Sequence, residues 1–133
     1  MKNRILRLIL WANILWVLII FLLCAIPGED IPNPHLDIPH LDKVVHFGMF
    51  FVMSLLLCCI LEHKSRLRLP IIYALAILSA FIYGGIIEIL QHNYFNRGGD
   101  IWDLIADVAG GIAGCFCYPL TKRLFSKFVK FEK

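Results

Sequence analysis

The chain has 133 residues, of which 59% are hydrophobic and 17% charged, and its formal net charge is +3. Its mean hydropathy of +0.75 lies far above that of a water-soluble domain of this length. The composition therefore excludes a globular cytosolic enzyme, a disordered tail and a disulfide scaffold, speaks against a nucleic-acid partner, and predicts an integral membrane protein.

Four apolar segments predict four membrane-spanning helices. The first three contain runs of 18 or 19 residues without Asp, Glu, Lys or Arg, close to the ~20 residues that cross a hydrocarbon layer of ~30 Å. The fourth is weaker, because it must carry Asp103 and Asp107 into the membrane. The predicted spans are residues 8–26, 44–61, 69–90 and 101–120. We therefore predict an all-α fold, an integral membrane four-helix bundle that forms one domain over residues 1–133.

The basic residues predict the orientation of the bundle. Lys and Arg occur before the first span, between the second and third spans, and after the fourth span. This places 11 of the 13 Lys and Arg residues on one side. Short loops rich in Lys and Arg mark the cytoplasmic face. Both termini are therefore predicted to be cytoplasmic, and the loops at residues 28–41 and 92–99 to lie outside.

Acidic and other polar residues gather where three spans meet the predicted outer surface. The second span opens with Asp42, Lys43 and His46, the third closes with Glu88 and Gln91, and the fourth opens with Arg97, Asp100, Asp103 and Asp107. Asp103 and Asp107 share a helical stripe with Gly110 and Gly114, and such small residues favour close helix packing. We therefore expect the aspartates to point into the bundle.

Helix capping accounts for only some of these acids. Asp42 and Asp100 are candidate N-caps, and Asp103 is placed where an acid favours the positive end of the helix dipole. Capping does not explain Asp107, which lies one turn deeper, or Glu88, which sits at a helix C-terminus where the dipole disfavours an anion. Intramembrane acids are costly unless paired, protonated or hydrated, so these two residues are the informative ones.

The predicted outer rim also carries an excess of negative charge. Five acids, Asp42, Glu88, Asp100, Asp103 and Asp107, face two fixed cations, Lys43 and Arg97, which leaves three negative charges in excess. A divalent cation, protonated carboxyl groups or a cationic ligand group would relieve this excess. No other cofactor is predicted, and the sequence does not decide whether a metal binds.

Several short motifs carry a resemblance to a known family. They are Ile26-Pro27-Gly28, the run from Asp42 to Phe47, the run from Glu88 to Gln91, and Arg97 followed by Asp100, Asp103, Asp107 and Gly110. In order and spacing they resemble the VanZ-like family of small bacterial membrane proteins, named for a protein associated with low-level teicoplanin resistance. The position matched by Asp107 is often Asn in that pattern, so this chain would carry one more negative charge than many relatives. The resemblance implies a helical bundle in the bacterial cytoplasmic membrane, with the shared residues at its outer surface, and it implies no particular reaction.

Three functional interpretations follow. The first is a pocket that recognises, or modifies, a membrane lipid headgroup or lipid-linked cell-envelope precursor. Its candidate catalytic residues are His46, Asp42, Glu88 and Asp107, and its candidate ligand-binding residues are Lys43, Gln91, Arg97 and Asp103. No nucleophile motif supports turnover, so binding is favoured and enzyme activity stays undecided. The alternatives are a proton or cation pathway lined by Asp103, Asp107 and Glu88, and a structural lock in which the charges only hold the helices together.

Overall fold

A computed structural model describes residues 2–26, 40–95 and 99–128, and these residues form four α-helices and no strand. The helices are α1 (Lys2–Cys24), α2 (Leu41–Lys64), α3 (Leu69–Tyr94) and α4 (Ile101–Phe128). All four are long and apolar enough to cross a membrane. The predicted all-α bundle with four spans is confirmed, whereas the orientation of the termini stays a prediction.

Helices α2 and α4 form the most extensive interface in the described part of the chain. A Cβ atom added to Gly110 would collide with the backbone oxygen of Phe47, and one added to Gly114 would collide with that of Phe51. Both pairs step by four residues, so the two glycines bring one stripe of α4 against the backbone of α2. This close approach fixes the register of the polar side chains at the end of the interface.

Helix α1 lies at the edge of the bundle, where it packs on α2 and α3 and makes no interface with α4 in the described residues. Hydrogen bonds to α2 and α3, two of them from aromatic side chains, hold it in place. The Trp16 indole N–H donates to the Met49 carbonyl of α2 at 2.9 Å, and the Tyr83 hydroxyl of α3 donates to the Val17 carbonyl at 2.7 Å. The polar end of each aromatic ring thus finds a partner inside an apolar interface.

The starts of α2 and α4 and the end of α3 lie at the same end of the bundle, which we call the acidic end. There Asp100 caps α4, since its Oδ1 accepts the Trp102 backbone N–H at 2.9 Å, and Asp103 occupies the third helical position. The predicted capping role of Asp42 is wrong. Helix α2 begins at Leu41, so His40 is the N-cap residue, with a φ of 61° and no side-chain capping bond.

Candidate functional site

One lysine gathers three carboxylates at the acidic end. The Lys43 ammonium group lies 3.0 Å from Asp42 Oδ2, 2.7 Å from Asp100 Oδ2 and 3.0 Å from Asp103 Oδ1. We call these four residues the Lys43 cluster. The Asp103 side chain is 12% exposed, whereas those of Asp42 and Asp100 are 48% and 37% exposed. The cluster therefore bridges the start of α2 to the start of α4, with Asp103 as its most buried acid.

Asp100 lies just outside the apolar spans, and its partners in the Lys43 cluster change the pKa of its carboxyl group. The hydrogen bond from Lys43, together with that from the Trp102 backbone N–H, lowers the pKa of the Asp100 carboxyl group. Because the pKa is lower in the folded state, ionised Asp100 stabilises the fold at neutral pH. This contribution is lost as the pH falls through the lowered pKa.

A second and more deeply placed group lies where α2, α3 and α4 meet. His46 of α2, Glu88 of α3 and Asp107 of α4 each offer a polar side-chain atom, and these atoms lie within 4.8 Å of one another. We call these three residues the His46 cluster. His46 Nδ1 and Asp107 Oδ1 are hydrogen bonded at 2.9 Å, and their side chains are 5% and 0% exposed. The cluster is thus a polar centre enclosed by three helices.

Two carboxylate oxygens of the His46 cluster have no hydrogen-bond partner among the residues that the structure describes. Glu88 Oε2 accepts the Asp100 backbone N–H at 2.8 Å, but Glu88 Oε1 is buried and unpaired. Asp107 Oδ2 is also buried and unpaired. A buried acceptor without a partner is unfavourable, so these two atoms are where a proton, a cation or a ligand donor would be favoured.

Gly84 makes room for the Asp107 carboxylate. A Cβ atom at position 84 would lie 2.5 Å from Asp107 Oδ2, which is too close for a real side chain. Gly84 precedes Glu88 by four residues, so both occupy one face of α3. By contrast, a Cβ atom at the neighbouring Gly85 would meet nothing within 4 Å. Of these two adjacent glycines, the structure therefore assigns the close approach to Gly84.

A groove of about 260 Å³ opens beside the His46 cluster, between the end of α3 and the start of α4. Its polar lining comes from Glu88, His92, Asn93 and Asp100, and its apolar lining includes Ile89, Ile101 and Leu104. Sequence reasoning missed His92 and Asn93. The two residues follow Glu88 by four and five positions at the same end of α3, and this spacing could have indicated that they lie near it.

The remaining predicted site residues have other partners than a single shared pocket would give them. Asp42 and His46 lie one helical turn apart on α2, a spacing that would let their side chains pair. In the structure the ring nitrogen of His46 instead bonds to Asp107, and Asp42 bonds to Lys43. The Gln91 side-chain amide donates to the Cys24 carbonyl at 3.2 Å, so Gln91 faces the end of α1. Arg97 lies outside the described residues.

Further polar groups follow the α2–α4 interface away from the acidic end. Ser54 is buried, the Cys58 and Cys115 sulfurs lie 3.6 Å apart, and Tyr118 donates a hydrogen bond to Glu62. His46 and Ser54 are eight residues apart, or roughly 12 Å along the helix axis, with buried Phe50 between them. The described side chains of this interface therefore leave an apolar gap below the His46 cluster.

Comparison with known proteins places these features in a family. A family model described as VanZ/LLP1 matches residues 5–122, which include all four spans and both clusters. Among curated proteins and solved structures, none matches the chain. The match agrees with the resemblance carried by the motifs at the acidic end, and it extends over most of the sequence. This four-span membrane chain belongs to the VanZ/LLP1 family.

Proposed function

We propose that this multi-pass membrane protein resides in a bacterial cytoplasmic membrane and binds the polar headgroup of a membrane lipid or lipid-linked cell-envelope precursor. Binding takes place at the acidic end, in the groove between α3 and α4. The proposal concerns recognition rather than turnover, because the motifs contain no nucleophile paired with a base. The teicoplanin resistance implied by the family resemblance is the expected cellular consequence.

The lining of the groove, mostly apolar surface joined by four polar residues, is the observation that carries this proposal. Glu88, His92, Asn93 and Asp100 supply polar groups, while Ile89, Ile101 and Leu104 supply apolar surface. The Ile89 and Ile101 side chains are 61% and 64% exposed on helices that are apolar enough to face lipid. A molecule with a polar head and an acyl chain is complementary to such a boundary.

The charges in the groove indicate which part of a headgroup binds there. Glu88 and Asp100 give this part of the groove a negative character, which favours the hydroxyl or ammonium groups of a headgroup. Lys43 is already bonded to three carboxylates and is poorly placed to attract a phosphate. Arg97 is then the main candidate for the phosphate, because its guanidinium group matches phosphate in a bidentate geometry.

Lipid retained by the purified protein tests the proposal. The protein is extracted in mild detergent, and its bound lipids are identified by native mass spectrometry. We expect a specific lipid, enriched over the bulk membrane composition, on the wild-type chain. Its affinity should fall about tenfold when two groove residues are removed in His92→Ala/Asn93→Ala, the loss expected for one or two hydrogen bonds. Arg97→Ala should weaken binding at least as much.

Ser79→Ala provides the matched control, because Ser79 lies on the same helix, is partly exposed, and bonds to the Leu75 carbonyl of its own helix turn. This variant should keep the lipid. Retained lipid whose composition equals that of the bulk membrane, or equal retention by the groove variant, would contradict the proposal. In cells, the groove variant should also lose any teicoplanin resistance that the wild-type chain confers.

A structural lock is the second candidate function, and it applies to the Lys43 cluster only. The observation that favours it is the bridge that Lys43 makes from α2 to Asp100 and Asp103 of the fourth helix segment. That bridge explains the Lys43 cluster without any ligand. It does not explain the unpaired oxygens of Glu88 and Asp107. The apolar gap at Phe50 disfavours the third interpretation, a proton or cation pathway.

The orientation of the bundle makes a separate prediction. With both termini cytoplasmic, a cysteine introduced by Asn33→Cys should react with a membrane-impermeant maleimide in intact cells. One introduced by Ser65→Cys should react only after permeabilisation. The unmodified chain is the background control, since its five cysteines lie within the helices. The reverse labelling pattern would place the acidic end on the cytoplasmic side.

A further inference from the structure

The geometry points to a divalent transition-metal site formed by His46 of α2, Glu88 of α3 and Asp107 of α4. Each residue offers one ligand atom, and these atoms lie within 4.8 Å of one another. Ligands on opposite sides of an ion ~2.1 Å away are ~4.2 Å apart. The three side chains therefore need only a small inward movement to share one ion.

The unpaired oxygens give an independent reason to expect an ion there. Asp107 is 0% exposed, its Oδ1 bonds to His46, and its Oδ2 has no partner within the described ranges of the chain. Glu88 Oε1 is buried and unpaired as well. Asp107 Oδ2 faces Gly84, which lies one turn from Glu88 on the same face of α3. The unpaired oxygen of Asp107 thus lies against the face of α3 that carries Glu88, and a cation shared by the two acids would satisfy both.

Charge also favours a dication. Two carboxylates and a neutral imidazole carry two negative charges, which a divalent ion balances. The nearest described fixed cation, Lys43, bonds instead to Asp42, Asp100 and Asp103. The His46 cluster is therefore left without a lysine of its own in the described part of the acidic end.

The ligand types narrow the choice of metal. Mg²⁺ and Ca²⁺ prefer oxygen ligands, whereas imidazole suits transition metals. His46 Nδ1 and Asp107 Oδ1 are 2.9 Å apart. Two atoms at this separation subtend about 90° at an ion ~2.05 Å from each, which is the angle between neighbouring octahedral ligands. An octahedral ion such as Mn²⁺ or Co²⁺ fits this pair, with Asp107 chelating it through both oxygens so that Oδ2 also gains a partner. Its entry would release the proton that His46 and Asp107 share.

Three protein ligands leave coordination positions open on such an ion. Glu88 lines both the His46 cluster and the groove, so the ion would lie next to the groove. It would give the acidic groove a local positive charge suited to a phosphate oxygen. This last step rests on the proposed function, whereas the metal site itself does not.

Metal binding is measured on the full-length chain in detergent, without added lipid, using Mn²⁺ and Co²⁺ as probes. Isothermal titration should give one high-affinity site per chain for each probe, with no comparable binding of Mg²⁺. Glu88→Gln and His46→Gln should each weaken the affinity by roughly tenfold or more, since each removes a ligand. Glu62→Gln makes the same substitution at the opposite end of the bundle, where Glu62 pairs with Lys122, and should leave the affinity within about twofold.

Pulsed electron paramagnetic resonance of the Mn²⁺-loaded wild-type chain supplies a readout that does not depend on variants that fold. It should detect one imidazole nitrogen coupled to the ion. Absence of a stoichiometric site, a signal from oxygen ligands only, or unchanged affinity in folded Glu88→Gln would overturn the inference. A failure here with specific lipid still bound would leave the proposed function standing, because the two measurements are independent.

Discussion

Gly110→Ala should lower the free energy of unfolding by about 1–3 kcal/mol, the range expected when a methyl group is forced into a closed interface. A Cβ atom at this position would collide with the backbone oxygen of Phe47 on α2. Backbone cannot rotate away as a side chain can, so α2 and α4 must move apart. Because His46 directly precedes Phe47, the same movement should stretch its hydrogen bond to Asp107. Unfolding in mixed detergent micelles measures the change.

Gly85→Ala is the matched control, because a Cβ atom at Gly85 would meet nothing within 4 Å. Alanine is the better helix former, so this variant should be as stable as the wild type or more stable by up to ~1 kcal/mol. Gly114→Ala should behave like Gly110→Ala, since its Cβ atom would collide with the Phe51 backbone oxygen. Equal stability of the Gly110 and Gly85 variants would show that the α2–α4 contact is looser than the structure has it.

Much of the fold was predictable because each spanning helix forms its backbone hydrogen bonds within its own segment. A membrane helix satisfies its own backbone and needs only length and hydropathy, and the four apolar segments provide both. The glycine spacing from Gly110 to Gly114 also indicated the packed face of α4. Helix starts were less certain, as Asp42 shows. Its carboxylate is a good capping group, yet α2 already begins at Leu41, before Asp42, and the Asp42 carboxylate bonds to the Lys43 ammonium group.

The candidate site was only partly predictable, since its pairings depend on register between helices. Sequence spacing along α2 favours Asp42 as the partner of His46, whereas the glycine contact sets Asp107 against that ring. Gln91 follows Glu88 by three residues, but this spacing turns its amide toward the end of α1. Local periodicity gives the face of a helix, and the neighbour across that face is decided by tertiary packing.

Lys43→Met should lower the free energy of unfolding by about 1–3 kcal/mol, chiefly because it leaves the Asp103 carboxylate largely buried without its cation. The Asp103 side chain is 12% exposed and lies 3.0 Å from the ammonium group. Asp42 and Asp100 are more exposed and should contribute little, because water screens them. Adding Asp103→Asn to Lys43→Met should recover part of the loss, since the remaining amide carries no charge. Thermal unfolding in detergent measures all three chains.

Lys122→Met is the comparison at the other end of the same two helices. Lys122 lies 2.6 Å from Glu62 Oε1, but its side chain is 50% exposed, so its removal should cost less than ~1 kcal/mol. If Lys43→Met destabilises the chain and the folded fraction still binds lipid, the Lys43 cluster acts as a structural lock beside a separate binding site. If Lys43→Met is as stable as Lys122→Met but no longer binds lipid, Lys43 belongs to the ligand site, and the three carboxylates only position it.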